Sequence, residues 1–295
     1  MSHRSRIAVL VLVGAVSWVT AFAVANSPPA PVMEAKRIAA LAPSLTELVF
    51  AAGAGERLVA VSAYSDYPEA AKRLPQAADG NGVRLEALAA LQPDLVLVWG
   101  SGTREADVVR MRSLGMRVEA IEVRLLTDVG SALRRIAALT GTTQAGEAAA
   151  RTFERRLQVL TASRRMRGTT GGAEGPRVFF EISAMPLLTV GGGHFISEVL
   201  ALCGFRNVFA DQQQPVFEPS RESLLRLAPQ YVFYPRGRQG RGAGSFDHYH
   251  GTPAAQAGRF IGIEADHILR PGPRLIDAAE TVCGVAKHGT TESTR

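Results

Sequence analysis

Apolar positions along this chain follow two periods that take turns. From residue 37 to residue 139, short apolar runs such as Leu58–Ser62 and Leu95–Trp99 are separated by stretches whose apolar residues recur every three or four positions. The short runs read as buried strands, and the others read as amphipathic helices. The predicted order is a strand Arg37–Ala42, a helix opened by a Ser44–Glu47 capping box and closed at Gly53, a strand Leu58–Ser62 and a polar loop Ala63–Pro68. A short helix from Leu85, a strand Leu95–Trp99, a helix Arg104–Leu114, a strand Arg117–Ile121 and a helix Asp128–Leu139 follow. Strands alternating with helices predict a parallel sheet.

The pattern then changes. Gln144–Met166 has no proline and Gly146 as its one glycine, and Phe153, Leu157 and Leu160 fall at i, i+4 and i+7. A single helix of about 35 Å is expected, ended by the Gly168–Gly172 breaker. Alternation resumes with a strand Arg177–Ile182, a loop through Met185 and Pro186 to the triple glycine Gly191–Gly193, a helix Phe195–Leu202 and a strand Asn207–Phe209. A loop Gln212–Pro219, a further helix and strand, a Gly/Arg-rich loop Pro235–Gly251, a strand Phe260–Ile263 and a helix Leu275–Val285 complete the chain. The triple glycine lacks the lysine of a phosphate-binding loop and is not spaced as G-x-G-x-x-G, so it reads as a plain turn.

One unit occurs twice. Glu86–Val96 and Glu222–Val232 both read Glu-x-Leu-x-x-Leu-x-Pro-x-x-Val, a short helix stopped by proline and followed at once by a strand. The copies are separated far more widely than the roughly 20–50 residues of a solenoid repeat, which favours two similar α/β lobes facing one another. The fold class is therefore α/β, with two Rossmann-like lobes built on parallel sheets and joined by a single long helix. The N-terminal lobe spans 37–143, the connecting helix 144–167 and the C-terminal lobe 176–288. Two lobes imply a cleft, and the stiff connection implies that they move little relative to each other.

The start of the chain belongs to neither lobe. Arg4 and Arg6 precede an apolar run Ile7–Ala25 that ends in Ala23-Val24-Ala25, the form of a secretory signal peptide over residues 1–25, followed by a Pro/Ala-rich leader over 26–36. An uncleaved membrane anchor is the alternative. Cleavage near Ala25 would release an exported protein.

Composition adds constraints. The chain is 46% hydrophobic and 20% charged, enough to bury one or two cores, and its formal charge of +6 falls by two with Arg4 and Arg6. Much of the surplus lies in Arg164–Arg167 and in the Gly/Arg-rich loop, which reads as solvated chain, so no nucleic-acid partner is expected. The cysteines are Cys203 and Cys283. An exported chain with one isolated pair points to a disulfide, with two buried free thiols as the alternative. His248-Tyr249-His250 has no third ligand at a suitable spacing, so no metal is expected. Ser183 and Ser197 lie in no nucleophile elbow, which leaves an exported hydrolase a distant rival and no residue assigned as catalytic.

Several segments carry a resemblance: Ala63-Tyr64-Ser65-Asp66-Tyr67-Pro68, Leu85-Glu86 with Gln92–Val96, Leu202-Cys203-Gly204, Asn207-Val208-Phe209, Ser220-Arg221-Glu222, and Pro273-Arg274 with Cys283. Over nearly the whole of residues 37–288 the chain resembles the helical-backbone, class III periplasmic binding proteins of ATP-driven (ABC) importers, and most closely their vitamin B12-binding branch. That resemblance implies a monomeric carrier with no cofactor, holding cobalamin as transported ligand between its lobes and presenting it to a permease dimer. It implies that Glu86 and Glu222 dock on permease arginines, that Tyr64 and Trp99 stack on the corrin face, that Asp266 and Arg270 meet its polar edge, and that Pro43 lines the cleft. Where the branch carries further aromatics this chain has Gly80, Leu188 and Val216, with Asn81 and Phe217 beside them; Asn81, Leu188 and Phe217 complete the candidate ligand set. A pocket with fewer rings leaves haem or a ferric siderophore as the alternative ligand.

Overall fold

A computed structural model describes residues 33–166, 175–237 and 246–289, with 287–289 as backbone alone. The expected signal peptide, most of the leader, the Gly168–Gly172 breaker and much of the Gly/Arg-rich loop lie outside the described residues.

The N-terminal lobe is a sheet of order β4-β3-β2-β1-β5-β6, formed by β1 (Ile38–Ala40), β2 (Leu58–Ser62), β3 (Gln76–Asp79), β4 (Gly82–Val83), β5 (Leu95–Trp99) and β6 (Val118–Ile121). Its pairs are parallel except for the β3–β4 hairpin. Central β1 alternates as a doubly covered strand must: Ile38 and Ala40 join the core on one face and Ala39 the core on the other. Helix α1 (Pro43–Ala51) fills the first face with Leu45, Leu48 and Val49, whereas α2 (Leu85–Ala90) and α3 (Glu105–Ser113) fill the second with Leu88, Val108 and Met111.

The predicted capping box is not what opens α1. Pro43 occupies the first turn behind an extended Ala42 that makes no side-chain cap, a position where the missing N–H costs nothing. Ser44 and Glu47 are buried inside the helix instead. Strand β3 escaped the sequence because Gln76-Ala77-Ala78-Asp79 contains no β-branched or aromatic residue, and the edge strand β4 because it is two residues long.

Helices α4 (Asp128–Thr140) and α5 (Thr143–Met166) form a hairpin closed by Gly141 in the left-handed region. A side chain at Gly146 would collide with Ala137 of α4, so glycine permits the close approach. Arg134 on α4 sits between Glu147 and Glu154 of α5 at 2.7 and 2.6 Å. Farther along α5, Arg156 grips Asp277 and Glu280 of α10 (Leu275–Gly289) at 2.6 and 2.7 Å. The long helix is thus fastened to a helix of each lobe.

The C-terminal lobe has β7 (Arg177–Ala184), β8 (Leu187–Val190), α6 (Phe195–Leu202), β9 (Arg206–Asn207), β10 (Val216–Phe217), α7 (Arg221–Leu227), β11 (Tyr231–Arg236), α8 (Pro253–Gln256), β12 (Phe260–Glu264) and α9 (Ala265–Ile268). The sheet order is β10-β8-β7-β11-β12, with β9 beside β7. It is mixed rather than purely parallel, since β8 runs antiparallel to both β7 and β10. Met185 and Pro186 are all that separates β7 from β8, and so short a link joins antiparallel strands only. The expected strand Asn207–Phe209 shrinks to Arg206–Asn207 because the Asn207 carboxamide accepts from the Phe209 N–H at 3.0 Å and turns the chain.

The core is continuous between lobes, running from Ile38 and Leu45 through Phe153 and Leu160 of α5 to Phe180 and Val282. Cys203 and Cys283 are disulfide-bonded with Cα atoms 4.6 Å apart, joining the end of α6 to α10. The duplicated unit is a duplication of backbone as well as of sequence. Gln92 and Ala228, the matched residues before Pro93 and Pro229, both have φ of 46°. Proline disfavours the α region for the residue before it, and the left-handed turn ends each helix.

Candidate functional site at the carboxyl edges of the two sheets

The parallel strands of both sheets aim their carboxyl ends at one another, and the loops leaving those ends meet. Glu47 is buried in α1, just past β1; Tyr64 and Asp66 follow β2; Asp266, Arg270 and Arg274 follow β12. The Arg270 guanidinium lies 2.8 Å from Asp66, 3.2 Å from Glu47 and 2.8 Å from Asp266, and donates to the Tyr64 carbonyl at 3.1 Å. Arg274 donates to both Glu47 oxygens at 2.9 and 2.6 Å, and its guanidinium stands 4.1 Å from the centre of the Tyr67 ring. The Arg270 side chain is 12% exposed and that of Glu47 2%. Burial works against the charge on Arg270, but Asp66, Asp266 and Glu47 outweigh it and hold the guanidinium above its usual range.

Tyr64 is 69% exposed and has φ of 63°, a conformation uncommon for an aromatic residue. Beneath it the next residue, Ser65, is buried and bonded to Thr46 and Ser62 at 3.0 and 3.1 Å. The ring is therefore held out into solvent from a loop pinned on both sides. Trp99 ends β5 half-buried; its indole N–H donates to Ser101 Oγ at 3.0 Å, and Ser101 in turn donates to Glu122 at 3.0 Å and, through its backbone N–H, at 2.6 Å.

The remaining candidates are placed as follows. Pro43 begins α1 directly after β1, next to the loop that carries Arg270, since Gly272 packs toward Ser44. Asn81 is exposed in the β3–β4 turn, where its carbonyl accepts from Arg104 at 2.6 Å. Leu188 opposes Ser183 near the carboxyl end of β7. Phe217 in β10 turns its ring toward Phe209, 5.2 Å between centroids, and so is partly committed to the lobe's own core. Glu86 and Glu222 occupy the first turns of α2 and α7, both exposed.

Sequence reasoning gave no role in the site to five participants, of which Asp66 and Arg274 at least lie in the segments that carry the resemblance. Glu47 was read as half of a capping box, although an acid inside an otherwise apolar helix face needs a buried cation. Ser101 and Glu122 carry no motif; they act through distance in the fold. A cavity of about 530 Å³ lies elsewhere, against α6, lined by Leu125, Ser197, Glu198, Asn207 and Asp211, and none of the candidate ligand residues lines it. There the Leu126 N–H donates to Glu198 at 2.6 Å. Among the described residues no cluster of three or more His, Cys, Asp or Glu is placed to hold a metal ion, and no helix is long and apolar enough to cross a membrane.

The sequence is 33% identical over 253 residues to the vitamin B12-binding protein of Vibrio cholerae serotype O1, covering 86% of this chain and 90% of that one. The crystal structure of a periplasmic vitamin B12-binding protein from Vibrio cholerae superposes with a TM-score of 0.77 at 32% identity, covering 87% of this chain and 98% of that one. A periplasmic haem-binding protein from Pseudomonas aeruginosa superposes with a TM-score of 0.74 at 26% identity, covering 85% and 92%. Residues 38–266, from the first strand of one lobe to the helix after the last strand of the other, match the periplasmic binding protein family model, and the chain belongs to that family.

Proposed function

We propose that this chain is a periplasmic carrier that captures cobalamin between its lobes and hands it to an ABC importer. The observation that carries the reading is the 33% identity to a vitamin B12-binding protein over most of both chains. An exposed tyrosine and a half-buried tryptophan, both at the carboxyl edge of the N-terminal sheet, suit a wide, flat, conjugated macrocycle, whose face offers stacking area. Tyr64 and Trp99 supply that stacking; Asp266 serves the polar edge; Pro43, Asn81, Leu188 and Phe217 line the remainder. The basic start, apolar run and Ala-x-Ala end of the leader support export to the periplasm. No bond is made or broken by the carrier, and the importer's ATPase supplies the energy for uptake.

Glu86 and Glu222 are the docking acids of this proposal. They stand at the same position of a repeated helix, one on each lobe, which suits a permease dimer with two equivalent basic pockets.

Haem is the second reading, favoured by the likeness to the Pseudomonas aeruginosa haem-binding protein. The exposed Tyr64 phenol is of a type that ligates haem iron. One titration separates the two. Trp18 lies in the leader, so Trp99 is the sole tryptophan of the processed chain. Cyanocobalamin is expected to quench its fluorescence saturably at one equivalent. No response to cyanocobalamin with saturable quenching by haemin would transfer the assignment to haem.

A further inference from the structure

The resemblance sets Arg270 against the ligand, yet the structure shows a side chain already occupied. A guanidinium has five N–H donors, four of them on its two terminal nitrogens. Those nitrogens face Glu47 and Asp66 from one side and Asp266 and the Tyr64 carbonyl from the other, at 2.8 to 3.2 Å. Its exposure of 12% leaves little of it for a guest, whereas Tyr64 offers 69%.

Backbone geometry shows what this occupation achieves. A tyrosine at φ of 63° sits in a region disfavoured for a residue with a Cβ and persists where surrounding contacts over-determine it. The contacts that do so here come from both lobes. Ser65 pins the loop from within its own lobe, while Arg270 takes the Tyr64 carbonyl and the Asp66 carboxylate from the opposite lobe. Arg274, just past the Pro271-Gly272-Pro273 loop, repeats the pattern on the Tyr67 ring. Buried ion pairs return little net stability, since desolvation offsets the attraction, and their better-attested use is to specify one arrangement.

We propose that Arg270 is a positioning residue: reaching across the lobe boundary, it locks Tyr64 in the left-handed turn that presents its ring to the macrocycle. The cross-lobe lock stands on geometry alone; what the Tyr64 ring meets rests on the carrier reading above.

Two measurements on the processed, disulfide-bonded chain test it. In the first, cyanocobalamin affinity is measured by Trp99 quenching for wild type, Arg270→Lys, Tyr64→Ala and the double variant. A residue acting through Tyr64 gives non-additive losses: R270K alone weakens binding about tenfold but adds under about twofold in the Y64A background. Additive losses mean that Arg270 contacts the ligand itself and overturn the proposal. In the second, with no ligand present, hydrogen exchange is followed at the Ser65 and Asp66 amides. R270K is expected to speed it about tenfold, and unchanged exchange overturns the proposal. If R270K does not fold, Asp66→Asn removes one charged acceptor and is expected to act in the same direction. A wild-type chain that binds neither cyanocobalamin nor haemin sinks the carrier reading, and the exchange experiment then decides the lock on its own.

Discussion

At the scale of single residues, Tyr64 shows function overriding local preference. Glycine or asparagine would take its backbone conformation at less cost, and the exposed ring contributes little to the core. Tyr64→Gly is therefore expected to leave stability unchanged or raise it by up to about 1 kcal/mol in urea unfolding, while ligand affinity falls by tenfold or more. A marked drop in the urea midpoint would mean that the ring packs in the fold. Glu47 is the converse case, a residue whose buried carboxylate serves two arginines that lie more than two hundred positions away in sequence. The family resemblance, rather than the hydrophobic pattern, singled out Tyr64 and Trp99, although each follows or ends an apolar run. It did not announce their supports: Ser101, Glu122 and Glu47 acquire their roles only when the strands are laid side by side, and nothing in their spacing encodes that.

Elements were legible in proportion to their periodicity. The long helix, the apolar strands Leu58–Ser62 and Leu95–Trp99 and the repeated helices all stand where the hydrophobic pattern puts them. Misses fell on β3, on the two-residue strands β4 and β10 and on the β7–β8 hairpin, which are determined by pairing partners rather than by their own composition. Helix α6 carries a feature with a measurable signature. His194 caps it, its Nδ1 accepting from the Ile196 N–H at 3.2 Å, and burial lowers its pKa to about 4. Because the folded value lies below the unfolded value near 6.5, the neutral cap is fully favourable above about pH 6.5 and is lost as pH falls toward 4. A loss on the order of 3 kcal/mol is expected across that interval, from a shift between about 6.5 and about 4. His194→Asn keeps a capping oxygen and should flatten this part of the stability profile; an unchanged profile from pH 7 to 4 would assign the acid sensitivity elsewhere.

On the scale of the whole molecule, the halves are held by more than one tether. A core shared through α5, ion pairs from Arg134 and Arg156, the Glu198 link and the buried arginine cluster all act on the same pair of lobes. Such a frame is suited to presenting two distant groups at a constant separation. Replacing Glu86 and Glu222 together by alanine is expected to leave cyanocobalamin affinity within about twofold in solution and to abolish uptake into cells that depend on this carrier. Weaker binding by the purified double variant would break that division of labour. The two-lobed plan was legible in the repeat itself, and the matching left-handed stops at Gln92 and Ala228 show why: the proline that follows each keeps it out of the helix and ends both helices in the same turn.

Those stops reach further than the helices they end. Each acid-bearing helix is stopped by its proline and passes at once into a strand of its own lobe's sheet, so each acid moves with its lobe. The span between the acids therefore behaves like the opening of a caliper with rigid jaws, set by whatever joins the lobes. That joint is the shared core, the ion pairs of α5, the Glu198 link and the buried arginine cluster together, and an importer that docks on the two acids, as proposed, would sense a fault there with both jaws intact.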